Sequence, residues 1–160
     1  MSGIWTRRGP IALACARGLA SYARREVRAL GLEVVADDES AVETEGTLRD
    51  AMRLNLWLRT AHRVLLPVAR AEAKTLDHLY AHAAAVPWET WLPADGFFTV
   101  HGAVRNDTIR DTRLPMLRVK DAIADRLRNV HGRRPDSGAG FSGAAVFVLW
   151  RERDLRLFID

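Results

Sequence analysis

The sequence holds a single cysteine, Cys15. That excludes an intrachain disulfide and any cysteine-based zinc cluster, and it fits a reducing compartment. Long apolar runs are also missing. The longest, residues 143–150, is strand-sized and far short of the ~20 residues a membrane helix needs. Arg7 and Arg8 before residues 11–16 faintly mimic a secretion signal, but Arg17 ends the run at once. A cytoplasmic protein without membrane contact is therefore expected. Lysine is scarce too: Lys74 and Lys120 stand against 22 arginines.

Catalytic motifs are equally sparse. No P-loop lysine motif is present, and Ser21, Ser40 and Ser142 lie in no nucleophile elbow. His78 and His82 share a helix face, but position 79 is Leu79, where a zinc protease needs glutamate. Gly138, Gly140 and Gly143 match G-x-G-x-x-G, yet a helix is expected before them and a strand after. That is the reverse of a dinucleotide loop, so a plain loop is the reading. Cys15 falls in an apolar strand, as a packing thiol does. We expect no catalytic centre, no metal site and no cofactor site in this chain.

What is present suits an α+β fold. Residues 11–16 read as a strand, and Leu19, Ala23, Val27 and Leu30 follow at helical spacing, with Gly31 placed to end the helix. Residues 32–36 and 41–45 read as paired strands around an acidic turn. Thr47 with Asp50 three residues on is a capping box, and Leu48, Met52, Leu56 and Trp57 are expected to supply that helix's buried face. Residues 63–71 form a fourth strand, with Pro67 marking an edge or bulge. The order is β-α-β-β-α-β, the ferredoxin-like pattern, and the first domain is expected over residues 1–73.

A second domain is expected over residues 74–160. It opens with a helix over 76–86, closed by Trp88, Trp91 and Leu92 beyond Pro87, and continues with a strand over 97–104. Thr112 is the expected cap of a long helix whose stripe is Met116, Val119, Ile123, Leu127 and Val130. Arg118 falls on the opposite, open face. Asp121 and Asp125 are spaced to pair with Arg118 and Arg128. Gly132 ends the helix, and residues 145–150 and 155–159 form a hairpin.

The charge is uneven. Residues 101–134 hold nine cations and four anions, an excess of five in a chain of net charge +4. Arg105 and Arg110 flank a turn, Arg113 and Lys120 line one helix edge, and Arg133 and Arg134 follow the helix end. Such a set suits the phosphates and 2′-hydroxyls of structured RNA, and it serves equally as a solubilising surface.

Two blocks carry a resemblance. Residues 45–66 resemble a hallmark of large-subunit rRNA guanine-N2 methyltransferases. So do residues 118–126, followed by Gly132-Arg133-Arg134-Pro135. With Gly18-Leu19 and Leu30-Gly31, the resemblance covers about residues 11–135. It implies a ferredoxin-like domain followed by an α/β THUMP domain, a module that binds RNA and positions it for a separate catalytic domain. Lys120, Arg133 and Arg134 stand on the family's motif positions. The implied partners are RNA, 23S rRNA in particular, and a methyltransferase domain in cis or in trans that uses S-adenosylmethionine. Ala20 departs from an expected glutamate, and no Asn/Asp-Pro-Pro-aromatic motif occurs before Asp160. The alternative is a protein-interaction domain without RNA binding, drawing on exposed Trp88 and Trp91 and an open strand edge at 155–159.

Overall fold

The computed structural model describes residues 6–93, 96–107, 109–133, 136–137 and 143–160. The chain divides into two compact units, Met1–Pro67 and Val68–Asp160, each with its own apolar core. The division expected after residue 73 lies just beyond the strand in which this structural division falls. No helix among the described residues is long and apolar enough to cross a membrane.

The first unit contains β1 (Gly9–Cys15), α1 (Ala20–Ala29), β2 (Val34–Asp37), β3 (Ala41–Gly46), α2 (Leu48–Trp57) and the first half of β4 (Ala61–Glu72). The strands lie in the order β2-β3-β1-β4, with β1 antiparallel to both neighbours. This is the expected ferredoxin-like arrangement. Because β1 is central, its alternate residues Ile11, Leu13 and Cys15 are buried, and they pack with Ala23 and Val27 of α1 and Ala51 and Leu54 of α2. Gly31 ends α1 in the left-handed region at φ +79, and its N–H donates to the Arg28 carbonyl.

The capping box at α2 forms as expected. The Asp50 N–H donates to Thr47 Oγ1 at 3.2 Å, and the Thr47 N–H donates to Asp50 Oδ2 at 2.8 Å. The Thr47 N–H and the Thr47 hydroxyl, which also donates to Asp50 Oδ2 at 2.8 Å, hold the Asp50 carboxyl below its ordinary value. The α2–β4 loop is tied down by Glu26 of α1. Its carboxylate accepts from the Thr60 hydroxyl at 2.8 Å and from the backbone N–H groups of Arg59 and Thr60. Burial pushes Glu26 up, and these hydrogen bonds outweigh it, leaving the group below its usual range.

The apolar face expected for α2 is wrong. Met52, Leu56 and Trp57 point to solvent, Leu56 being 81% exposed, while Ala51 and Leu54 face the core. Apolar residues surround this helix, and the small Ala51 lets it lie close to the sheet.

The second unit contains the rest of β4, α3 (Leu76–Ala85), a 3-10 turn (Trp88–Thr90), β5 (Phe97–Arg105), α4 (Arg113–His131), β6 (Asp136–Ser137), β7 (Ala144–Arg151) and β8 (Asp154–Ile159). Strand order is β4-β8-β7-β5-β6; β5 runs parallel to β6 and β7, and β7–β8 is an antiparallel hairpin. Both helices contribute to one core with Phe98, Val146, Val148, Trp150, Leu155 and Leu157. Two buried indoles satisfy their N–H groups on carbonyls: Trp88 on Ala83 at 2.7 Å and Trp150 on Ala73 at 3.1 Å.

Three further expectations are corrected. Trp88 is buried and Trp91 half-buried, so neither forms an exposed aromatic surface of the kind anticipated. The segment 155–159 is no open edge, because β8 lies between β4 and β7. Val130 is 48% exposed: it sits in the last turn of α4, beyond the core.

Candidate nucleic-acid interface

The cationic surface of the second unit is built on its parallel pair. On β7, Val146, Val148 and Trp150 are buried, so Ala145, Phe147, Leu149 and Arg151 turn to the other face. The β5–β7 register places Val104 beside Trp150 and Arg105 beside Arg151. Arg105 and Arg151 are therefore exposed neighbours on the face away from the helices. Glu152 turns the chain at φ +51, and its N–H donates to the Arg105 carbonyl at 2.8 Å, joining the two strand ends.

The loop after β5 is set by Asn106, whose Oδ1 accepts from the Ile109 N–H at 2.8 Å. Arg110 follows it and is exposed. Thr112 occupies the cap position of α4 but makes no capping hydrogen bond; Asp111 accepts from the Arg113 N–H instead, at 2.9 Å. The Arg113 guanidinium also grips Asp111 through two contacts of 3.0 Å. These bonds hold the Asp111 carboxyl low, and Arg113 is turned back on its own loop.

Arg105, Arg110 and Arg113 thus cluster where β5 ends and α4 begins. Lys120 is half-buried two turns along the helix. Arg133 is exposed beyond Gly132, at the far end of a 19-residue helix about 27 Å long. Arg134 lies outside the described residues. The six residues singled out from sequence therefore do not form one compact patch. Arg151 was missed; its place beside Arg105 depends on a strand register that spacing alone does not give.

Other cations are engaged inside the fold. Arg118 was expected on an open face, but α3 packs there. Its guanidinium lies 4.7 Å from the Tyr80 ring centroid and 2.7 Å from Asp77. The Tyr80 hydroxyl donates to Asp125 at 2.7 Å, and Arg128 pairs with the same carboxylate at 3.1 Å. Arg126 holds Glu89 in a two-point ion pair that keeps the Glu89 carboxyl below its ordinary value. Arg105, Arg110, Lys120, Arg133 and Arg151 have no ion pair among the described residues.

Cys15 is buried, and burial first and the Asp38 charge second push its thiol up, away from thiolate chemistry. His78 Nδ1 lies 3.4 Å from the Lys74 nitrogen and His82 Nε2 lies 3.2 Å from the Glu72 carbonyl oxygen, so the two rings attend to separate backbone groups. No cluster of three metal-ligating side chains occurs among the described residues. Of the glycine pattern, only Gly143 is described, and β7 follows it.

Comparison with known proteins gives these features a family. Residues 11–65 match the RlmL ferredoxin-like domain, and residues 73–137 match the THUMP domain. The chain is thus a ferredoxin-like domain followed by a THUMP domain. The ribosomal RNA large subunit methyltransferase K/L of Pseudomonas aeruginosa is 42% identical over 123 residues, 77% of this chain and 17% of that protein. Its counterpart in Syntrophotalea carbinolica is 40% identical over 119 residues, 74% of this chain and again 17% of the relative. The chain belongs to the ferredoxin-like and THUMP region of this methyltransferase family, and spans about 17% of the length of these curated relatives. Among solved structures, a Listeria monocytogenes protein described as a predicted N6-adenine-specific DNA methylase matches with TM-score 0.82 and 31% identity, over 96% of this chain and 40% of that one. TrmN from Thermus thermophilus matches in fold, with TM-score 0.64 and 22% identity, over 96% of this chain and 45% of that one.

Proposed function

We propose that this chain binds structured RNA of the large ribosomal subunit, 23S rRNA, in the cytoplasm and positions it for a methyltransferase domain acting in cis or in trans. The observation that carries this reading is the THUMP match over residues 73–137, on the stretch where Arg105, Arg110 and Arg133 are exposed and outside any described ion pair. Guanidiniums of this kind neutralise backbone phosphates and release counterions, which gives affinity without reading sequence. Lys120 extends the cationic set along α4, and Arg134 follows Arg133 in the sequence. Arg113 joins it only if phosphate displaces Asp111.

Methyl transfer belongs to the partner domain, where S-adenosylmethionine supplies the methyl group. This chain's own residues bind and orient. Their placement on strands and at a helix end gives the fixed geometry that positioning needs. The functional division we propose follows residues 1–73 and 74–160.

Titration of 23S rRNA fragments against the chain at several salt concentrations tests the proposal. Affinity should fall steeply as salt rises. Failure to bind, or binding that ignores salt, would contradict it.

A further inference from the structure

Arg105 and Arg151 pose a physical problem for the folded chain. Neighbouring parallel strands lie ~4.8 Å apart, and like charges set directly side by side are destabilising. The register puts these two guanidinium-bearing residues side by side on one face, and both are exposed. The carboxylate nearest in register is Asp154, opposite Arg151 on β8. It is already taken: Arg70 Nε donates to it at 2.9 Å and Arg156 Nε at 2.8 Å. Nearby arginines find carboxylates, Arg113 on Asp111 and Arg153 on Glu72, while this pair does not. The Glu152 N–H bond to the Arg105 carbonyl meanwhile fixes the two backbones together.

We propose that Arg105 and Arg151 form a clamp for a single backbone phosphate of a bound RNA. One phosphate between two guanidiniums replaces their repulsion with charge-assisted, two-point hydrogen bonds, and strand positions spare the cost of ordering a loop. Arg110, on the loop that follows β5, stands ready for the adjoining phosphate. This clamp rests on the RNA-binding reading, and it adds a residue, Arg151, that lies outside the stretch matched to the THUMP domain.

The test uses the full chain, a 23S rRNA fragment and the variants Arg105→Ala, Arg151→Ala and the double variant, with Arg17→Ala as a charge-matched control whose arginine pairs with Glu39. Each single variant should weaken binding by about tenfold. The double variant should be little weaker than either single one, because both arginines serve one phosphate. The slope of log affinity against log salt should fall by about 1 in all three, and Arg17→Ala should bind as the parent does. Thermal midpoints of the variants should hold or rise, since a repulsion is removed. If the parent binds RNA and the double variant matches it in affinity and slope, the clamp is wrong and the RNA reading stands. If the parent binds no RNA, that reading falls and the clamp with it. Strictly additive losses, or lowered thermal midpoints, would also overturn the shared clamp.

Discussion

In the first unit four arginines pair with carboxylates of their own unit. Arg17 reaches Glu39, Arg24 reaches Asp37, Arg59 reaches Glu26, and Arg53 meets Asp50 and the Leu30 carbonyl. The second unit pairs Arg70, Arg113, Arg153 and Arg156 in the same way. Arg118, Arg126 and Arg128 brace the helices, while Arg105, Arg110, Arg133 and Arg151 stand exposed with no carboxylate among the described residues. The first unit has arginines without a described carboxylate as well: Arg25, over the Tyr22 ring, and Arg28 lie three residues apart on α1, and Arg49 lies on α2. Only in the second does a strand register set two of them side by side. Arginine abundance is common to both units; what differs is placement by strand register, on which the proposed phosphate clamp rests.

Substitutions can sharpen or break this contrast. The largest effect is expected from Trp150→Ala, which removes a fully buried indole and its hydrogen bond to Ala73, at a cost of about 3–5 kcal/mol. Hydrogen exchange should place the loss of protection in Val68–Asp160. Leu54→Ala, in the first unit's core, should cost about 2–5 kcal/mol with the loss placed in Met1–Pro67. A loss spread evenly over both units in either variant would break the description of two separate cores.

Gly102→Ala comes next. A Cβ there would sit 2.0 Å from the Val148 carbonyl oxygen, so β5 must move away from β7. About 1–3 kcal/mol of stability should go, and RNA affinity should drop with it as the Arg105–Arg151 register loosens. Unchanged RNA affinity in a destabilised Gly102→Ala chain would detach the parallel pair from binding.

The two helix starts differ more subtly. Thr47→Ala should cost about 1 kcal/mol in chemical denaturation, whereas Thr112→Ala, at a cap that makes no bond, should stay within about 0.5 kcal/mol. Asp50 adds a pH signature to the first. Its folded-state pKa is depressed, so its contribution is complete above the unfolded-state value and is lost as pH falls through the lowered folded value. Asp50→Asn should remove that part of the acid-side slope. The smallest effect is expected for Leu56→Ser, within about 0.5 kcal/mol, because that leucine already faces water.

Local chemistry made much of the fold legible. Thr47 with Asp50, Gly31 and Gly132 mark helix ends by rules that act within a few residues, and each stands where the sequence placed it. Non-local contacts were not legible. Met52 and Leu56 carry helical spacing, but only the packed sheet decides that Ala51 and Leu54 turn inward. Arg118 was expected on an open face of α4, and nothing local says that α3 packs there. The hairpin of β7 and β8 was readable, but not that β4 lies against it. The cationic stretch was visible as composition, while the Arg105–Arg151 pair exists only through the register of two strands more than 40 residues apart.

Photo-crosslinking a 23S rRNA fragment to the full chain, followed by mapping of the attached residues, tests the central claim most directly. The predicted result is attachment in the second unit, concentrated around residues 105–113 and 151. Attachment confined to Met1–Pro67 would contradict the account.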